Sequence, residues 1–480
     1  MPDAFDLVLR DALIVTEDGV QAGDLGVRNE TIAAIGAVGG RGTHEIDAGG
    51  RPLLPGGVDP HCHIEQMSGM GLMNADTFET ATRAALLGGT TTVISFAAQA
   101  KGEALSRTLS DYAARARRGA MIDHAFHITA TDPGVPDFAV DLIRAIGAGH
   151  RSVKVFTTYA IRLSDRQILD ILALARRAGA LVCVHAENDA MIGWMKDALL
   201  ASGLIRPEHH ALSHPRLAEV EAVERMIRFA EFLAQPVMLF HISTAEALAA
   251  IRAARARGVP VWAETCPHYL LSTAEVLKQP GVEGAKWMCS PPQREAADCT
   301  ALWDGLSDGT LDLVSSDHAP YRFDATGRLA AGPSPRFDQI ANGLPGLQTR
   351  LPLLFDAMVS AGRGGLEAFA RVTATAPARV YGLETKGRIA VGADADLVLW
   401  DPERQSTYGA DDLDDNVGYN PWAGTTVTGW PDIVIQRGRV IAEGGHCRAR
   451  PGDGRWLPRT AIGCRTACAP APEVRTVMEE

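Results

Sequence analysis

The sequence predicts an α/β fold, a (β/α)8 barrel of the TIM type with a small β-sandwich domain formed from both chain termini. Three observations lead there. Eight short, near-continuous apolar runs lie between residues 53 and 320, and strands that lack period-two alternation are what a parallel sheet buried on both faces produces. Amphipathic helical patterns separate these runs, as parallel strands need crossover connections and a helix is the usual one. The two ends of the chain instead read as short alternating segments broken at Gly and Asp.

In chain order the runs are LLPGGVDPHCH (53–63), TTVISFA (91–97), HAFHITA (124–130), SVKVFTT (152–158), LVCVHAE (181–187), PVMLFHIS (236–243), VWAETCPH (261–268) and LDLVSSDHAP (311–320). Helical patterns fall at 78–87, 105–118, 138–146, 168–177, 220–233 and 245–257. Ser164 with Gln167, and Ser243 with Glu246, have capping-box spacing, and Gly179 and Gly258 stand where a left-handed residue ends a helix. The flanks 5–50 and 386–446 pair as the two halves of the sandwich. The expected domains are 1–54 plus 385–446 for the sandwich, 55–384 for the barrel and 447–480 for an extended or loosely ordered C-terminal arm.

Composition excludes several classes. With 46% hydrophobic and 22% charged residues the chain has an ordinary globular mix, not that of a disordered one. The start, MPDAFDLVLRDALIV, is acidic where a secretory leader is basic, and no run nears the ~20 apolar residues that span a bilayer. A soluble, cytoplasmic protein with no membrane partner is expected. A net charge of −12 without a dense basic cluster argues against nucleic acid. The 8 cysteines are too sparse for a disulfide framework; Cys464 and Cys468, four apart in the tail, read as free thiols.

The 14 histidines carry more information. Barrel chemistry sits at the C-terminal ends of the strands. His61 and His63 close the first, and residues i and i+2 of an extended segment project to one face, so both imidazoles can grip one ion while Cys62 turns away. Alone, such a pair arises too easily by chance to be read. The other strand ends supply the weight: His185 on the fifth, His241 on the sixth and Asp317 on the eighth, all ligand types suited to zinc and neighbouring divalent ions. Lys154 lies inside the fourth strand. Burying it demands that it be paired, neutralised or modified; an ion pair with a barrel carboxylate and carboxylation by CO2 both satisfy that demand.

The motifs PGGVDPHCH, SVKVFTTY, HAEN, HISTAEAL, ETCPHYL, SPP and SSDHAPY, in this order, resemble the cyclic amidohydrolase family of the amidohydrolase superfamily, and within it the dihydropyrimidinases and hydantoinases. The resemblance runs over nearly the whole chain, including GRWLPR at 454–459. It implies that Lys154 is carboxylated and bridges two divalent metal ions, for which N and O ligands favour zinc. It implies that His61 and His63 with Asp317 complete one site and His185 and His241 the other. Tyr159, Ser290 and Asn342 match substrate-contacting positions, and a homotetramer or homodimer is implied, with the C-terminal arm a candidate subunit contact.

The reaction so implied is attack of a metal-bridging hydroxide on a small-molecule cyclic amide, imide or ureide. Asp317 shuttles the proton to the leaving nitrogen and Tyr159 stabilises the oxyanion. Ser290 and Asn342 present backbone groups to the ring edge. Dihydropyrimidines, 5-substituted hydantoins and related imides fit, with an allantoinase-like ureide hydrolase as the alternative. Glu65, where dihydroorotase-like relatives carry Arg, would repel a substrate carboxylate. The Met- and Gly-rich stretch QMSGMGLMN (66–74) suits a lid over an apolar substituent. A non-catalytic interaction protein on this scaffold is disfavoured by the presence of all six ligand positions. A single-metal deaminase has no need of Lys154. His268 and His318 read as supports for a ligand or as core residues, His124 and His127 as structural.

Overall fold

The structure is a computed structural model, and it describes residues 5–460 and 462. Eight parallel strands follow one another around the barrel: Gly57–Cys62, Thr90–Ala98, Asp123–Thr129, Ser152–Phe156, Leu181–His185, Val237–Leu239, Val261–Thr265 and Leu313–Val314. The ring closes through a parallel bridge between Cys62 and His318, where the His63 N–H donates to the His318 carbonyl at 2.7 Å. Every strand residue but Ala98 is buried, which is why the runs show no polar alternation.

Alternation survives in direction. Ile94, Phe96, Leu181, Cys183, Met238 and Phe240 fill the barrel interior, while Val93, Val153, Val155, Val182 and Val184 face the helices. Lys154, between two outward valines, therefore points inward.

The helices begin where their caps lie, up to a turn before the first apolar residue. The fourth, Asp165–Ala178, has the expected box: the Ser164 side chain accepts from the Gln167 N–H, Gln167 Oε1 accepts from the Ser164 N–H at 3.0 Å, and Gly179 ends the helix at φ 72°. The box expected at Ser243 is displaced by one residue. Thr244 caps Ala245–Ala256 by accepting from the Ala247 N–H, because Ser243 gives both its N–H and its hydroxyl to the buried Glu219 carboxylate.

Both chain ends build one nine-stranded, mostly antiparallel sheet. Its two halves meet at Pro52–Pro55, which pairs with Phe5–Thr16 on one side and Leu397–Thr407 on the other. Leu7, Leu9, Ile14, Leu25, Leu397, Leu399, Ile433 and Ile435 form a core of its own. Lys386 ties this sheet to the barrel, its Nζ 2.6 Å from Asp123 and 2.8 Å from Asp396.

The chain beyond the sheet does not reach outward as an extended arm over its described part. Leu457 N–H donates to the His124 carbonyl at 2.8 Å, and buried Arg459 donates to Ser152 Oγ at 2.7 Å and to the Phe126 carbonyl at 2.6 Å. GRWLPR thus seals the base of its own barrel, and any subunit contact by residues 454–460 would have to be made from that seat. Cys464 and Cys468 lie outside the described residues. Among those residues no helix is long and apolar enough to cross a membrane.

Candidate active site

All nine residues singled out from the sequence line one cavity of about 310 Å3 at the C-terminal mouth of the barrel: His61, His63, Lys154, Tyr159, His185, His241, Ser290, Asp317 and Asn342. Three of them, Tyr159, His241 and Asp317, hold left-handed backbone, at φ 69°, 41° and 47°. Non-glycine residues pay for that conformation, and it clusters where a side chain must be aimed. Here His241 and Asp317 lie just beyond the ends of the sixth and eighth strands, which are three and two residues long. Gly343, beside Asn342, is there for space: at φ 142° a Cβ would lie 2.4 Å from Ala319 Cβ.

Three of the four imidazoles are held by one nitrogen. Buried Glu264 hydrogen-bonds His61 Nδ1, leaving Nε2 3.0 Å from Asp317 Oδ1. Gln66 Oε1 sits 2.7 Å from His63 Nδ1, with Nε2 3.4 Å from the same Asp317 oxygen. Glu187 Oε2 lies 2.9 Å from His185 Nε2, which leaves Nδ1 for the mouth. Glu187 is itself held by His214 Nδ1 at 2.8 Å and the Ser290 hydroxyl at 2.6 Å. His241 packs edge-on to His185, ring centroids 4.5 Å apart, and its buried Nδ1 has no hydrogen-bond partner.

Electrostatics follow from burial and these partners. Burial holds His63, His185 and His241 below the usual imidazole range, so their ring nitrogens are available as neutral donors of a lone pair. Burial opposes a proton on His61 as well, but Asp317 and Glu264 outweigh it and raise that group. Asp317 is buried, yet the His61 and His63 rings hold it well below the usual carboxylate range. Burial raises the Tyr159 phenol, with Ser290 and Asn342 beside it acting the other way, so it stays protonated.

Lys154 is 1% exposed, and its amine has no hydrogen bond or ion pair among the described residues. Its Nζ lies 3.9 Å over the Phe240 ring and 4.8 Å over Phe156. Burial lowers it to about 8. Among the described residues no carboxylate pairs with its amine, which leaves neutralisation or modification.

These residues fit a divalent cation. His61, His63 and Asp317 bring one ligand atom each within 4.8 Å of one another, the His241 nitrogen is orphaned, and each remaining imidazole is oriented through its far nitrogen, as metal-ligating histidines are. Sequence reasoning missed three of the orienting groups. Glu264 and Glu187 stood inside the quoted motifs ETCPHYL and HAEN, where acids in buried runs signal a partner, whereas Gln66 left no such signal. His318 spans Asp76, 3.1 Å from its Nε2, and the Gly346 N–H. His127 bonds Ser152 and the Pro60 carbonyl.

Glu65 does not line the cavity. Its carboxylate accepts from the Phe78 N–H at a helix start and faces Arg115 at 3.8 Å, so its charge is silent on substrate, contrary to expectation. A carboxylate substrate is still poorly served, because Lys154 is the one cationic side chain among the lining residues.

A parallel barrel carrying histidines and an aspartate at its strand ends, beside a sheet made from both termini, is the architecture that the comparisons with known proteins identify. Residues 53–441 match the model of the amidohydrolase family, and the chain belongs to that family. Within it the chain is a hydantoinase-like cyclic amidohydrolase. It is 38% identical to a D-hydantoinase of Ralstonia pickettii, over 95% of this chain and 99% of that one. A dihydropyrimidinase structure from Brevibacillus agri superposes with a TM-score of 0.91 at 35% identity, covering 95% of this chain and 99% of the other. The L-hydantoinase (dihydropyrimidinase) structure from Arthrobacter aurescens gives 0.84 at 27%, covering 95% and 100%.

Proposed function

We propose that this cyclic amidohydrolase holds two divalent metal ions, zinc by ligand type, and opens a dihydropyrimidine, a 5-substituted hydantoin or a related cyclic imide. His61, His63 and Asp317 would hold one ion and His185 and His241 the other, with Lys154 carboxylated between them. The observation that carries the reading is the convergence of these six side chains, from five different strands or strand ends, on one cavity. Bound there, such ions supply Lewis acidity toward a ring carbonyl and a nucleophile at neutral pH.

The chain's own groups do the rest. Asp317 is ionised and turns Oδ1 to His61 and His63, so Oδ2 is the oxygen free to take a proton and return it to the ring nitrogen, which leaves poorly without one. The Tyr159 phenol keeps its proton and donates to the developing oxyanion, a contact of roughly 3 kcal/mol. Ser290 spends its hydroxyl on Glu187, so its main chain faces the ring, while the unpaired Asn342 Oδ1 can accept a ring N–H. Met67, Met70, Ile161 and Ala341 give the wall an apolar side that suits a ring substituent. The same reading makes the enzyme cytoplasmic and homo-oligomeric, a dimer or tetramer that would cover side chains such as Trp194 and Leu217, 71% and 67% exposed.

Two metals per chain in active enzyme and a Lys154 mass raised by one CO2 are expected; fewer than one metal per chain, or an unmodified lysine throughout, sinks the binuclear reading. Ranking dihydropyrimidines, substituted hydantoins, allantoin and cyclic imides by kcat/KM identifies the ring, with allantoin at the head of the order favouring the ureide alternative.

A further inference from the structure

Beyond His63 the chain doubles back at once. Residues 66–74 form a small hairpin: Ser68 N–H donates to the Leu72 carbonyl at 2.7 Å, Asn74 N–H to the Gln66 carbonyl at 2.9 Å, and Met67 bridges Met73. Gly71 turns it at φ 78°. On one side Leu72 packs against Ala319, Tyr321 and Ala341. On the other, Met67 and Met70 form part of the cavity wall.

Gln66 stands at the base of this hairpin and has two attachments. Its main chain closes the hairpin, the N–H donating to Asn74 Oδ1 at 2.5 Å and the carbonyl accepting from the Asn74 N–H. Its side-chain oxygen meets His63 Nδ1 at 2.7 Å. A carbonyl oxygen only accepts, so Nδ1 carries the ring proton and Nε2 keeps the lone pair that faces Asp317. His61 has a carboxylate, Glu264, in the equivalent place, so the two members of the pair are supported unequally.

We propose that Gln66 is a positioning residue that couples the hairpin to His63, holding the imidazole with Nε2 presented to a metal only while the hairpin is seated. This rests on the reading of His63 as a metal ligand. The pocket wall and one ligand then share a single residue, and a substituent that displaces Met67 or Met70 is felt at the metal.

Zinc affinity of the metal-free protein, measured by competition with a chromophoric chelator, tests it. Gln66→Leu removes the acceptor at a half-buried position and should weaken zinc by about 10- to 100-fold, with the thermal midpoint of the metal-free protein unchanged. Gln66→Glu keeps an acceptor and should stay within about threefold of wild type. Leu72→Ala unseats the hairpin without touching His63 and should weaken zinc in the same direction. A Gln66→Leu protein that binds zinc like wild type overturns the assignment, as does a Gln66→Glu protein no better than Gln66→Leu. Unchanged affinity in Leu72→Ala overturns the coupling. A wild type that takes up no zinc fails at the underlying metal reading instead, a result distinct from all three.

Discussion

Glu264 reaches the site from the seventh strand to hold a histidine on the first, 203 residues away in sequence. Its second oxygen is buried without a partner, and burial raises this carboxyl, with His61 first and then Lys154 acting the other way. Glu264→Gln keeps the shape and an acceptor but loses the charge that strengthens His61 as a donor. Zinc affinity, read by the same chelator competition, should fall about tenfold, the low end of what such supports contribute; an unchanged affinity would make Glu264 a packing residue. At this scale the nine side chains in the cavity were legible because strand ends of a predicted barrel are few and each carried His, Lys, Asp or a motif residue. Of their supports, Glu264 was not legible as a partner of His61, because a hydrogen bond across 203 residues leaves no spacing to read, whereas Glu187 and Gln66 stand two and three residues from the histidines they hold. Glu65 shows the same limit from the other side. Its position in HCHIE suggested a charge at the substrate, but a nearby helix start offered an N–H and Arg115 a cation, and local partners decided where it points.

The strands were readable as elements because burial on both faces leaves only apolar residues between turns. Their lengths were not. The sixth and eighth end at three and two residues, and just beyond them His241 and Asp317 leave the β region; no propensity announces a functional residue that accepts left-handed backbone. Helix starts follow local chemistry more closely. Ser164 and Gln167 cap a 14-residue helix reciprocally, whereas Ser243 lost its cap to Thr244 once Glu219, from another helix, claimed its donors. Ser164→Ala should therefore cost about 1 kcal/mol of stability, seen as a lower denaturation midpoint with kcat/KM unaltered. A loss of activity at equal stability would mean that this helix start also positions the lining residues Tyr159, Ala160 and Ile161 just before it.

The chain's last described segment joins the barrel base to the fold as a whole, and His150, with His124, makes that junction sensitive to acid. The ring stacks on Phe126 and lies against Trp456, ring centroids 5.3 Å apart, its Nδ1 buried without a partner. Burial, with Arg459 nearby adding repulsion, lowers it to about 4 from 6.5. Between those values the unfolded chain binds the proton and the folded one does not, so stability is fully present above pH 6.5 and is lost as the pH falls toward 4. At pH 5 this one group costs about 2 kcal/mol. Other buried groups titrate too, Asp415 among them, raised to about 7 chiefly by burial with Asp76 adding to it, and its sign is opposite, because the folded state holds that proton more tightly. The wild-type profile alone therefore does not isolate His150, whereas a comparison does. His150→Phe keeps an aromatic ring between Phe126 and Trp456 and removes the titration, so its thermal midpoint relative to wild type should rise on going from pH 7.5 to pH 5. An offset that is the same at both pH values would show that the base of the barrel opens to water around His150 before the fold yields, and that GRWLPR seals it less tightly than its hydrogen bonds to His124, Phe126 and Ser152 imply.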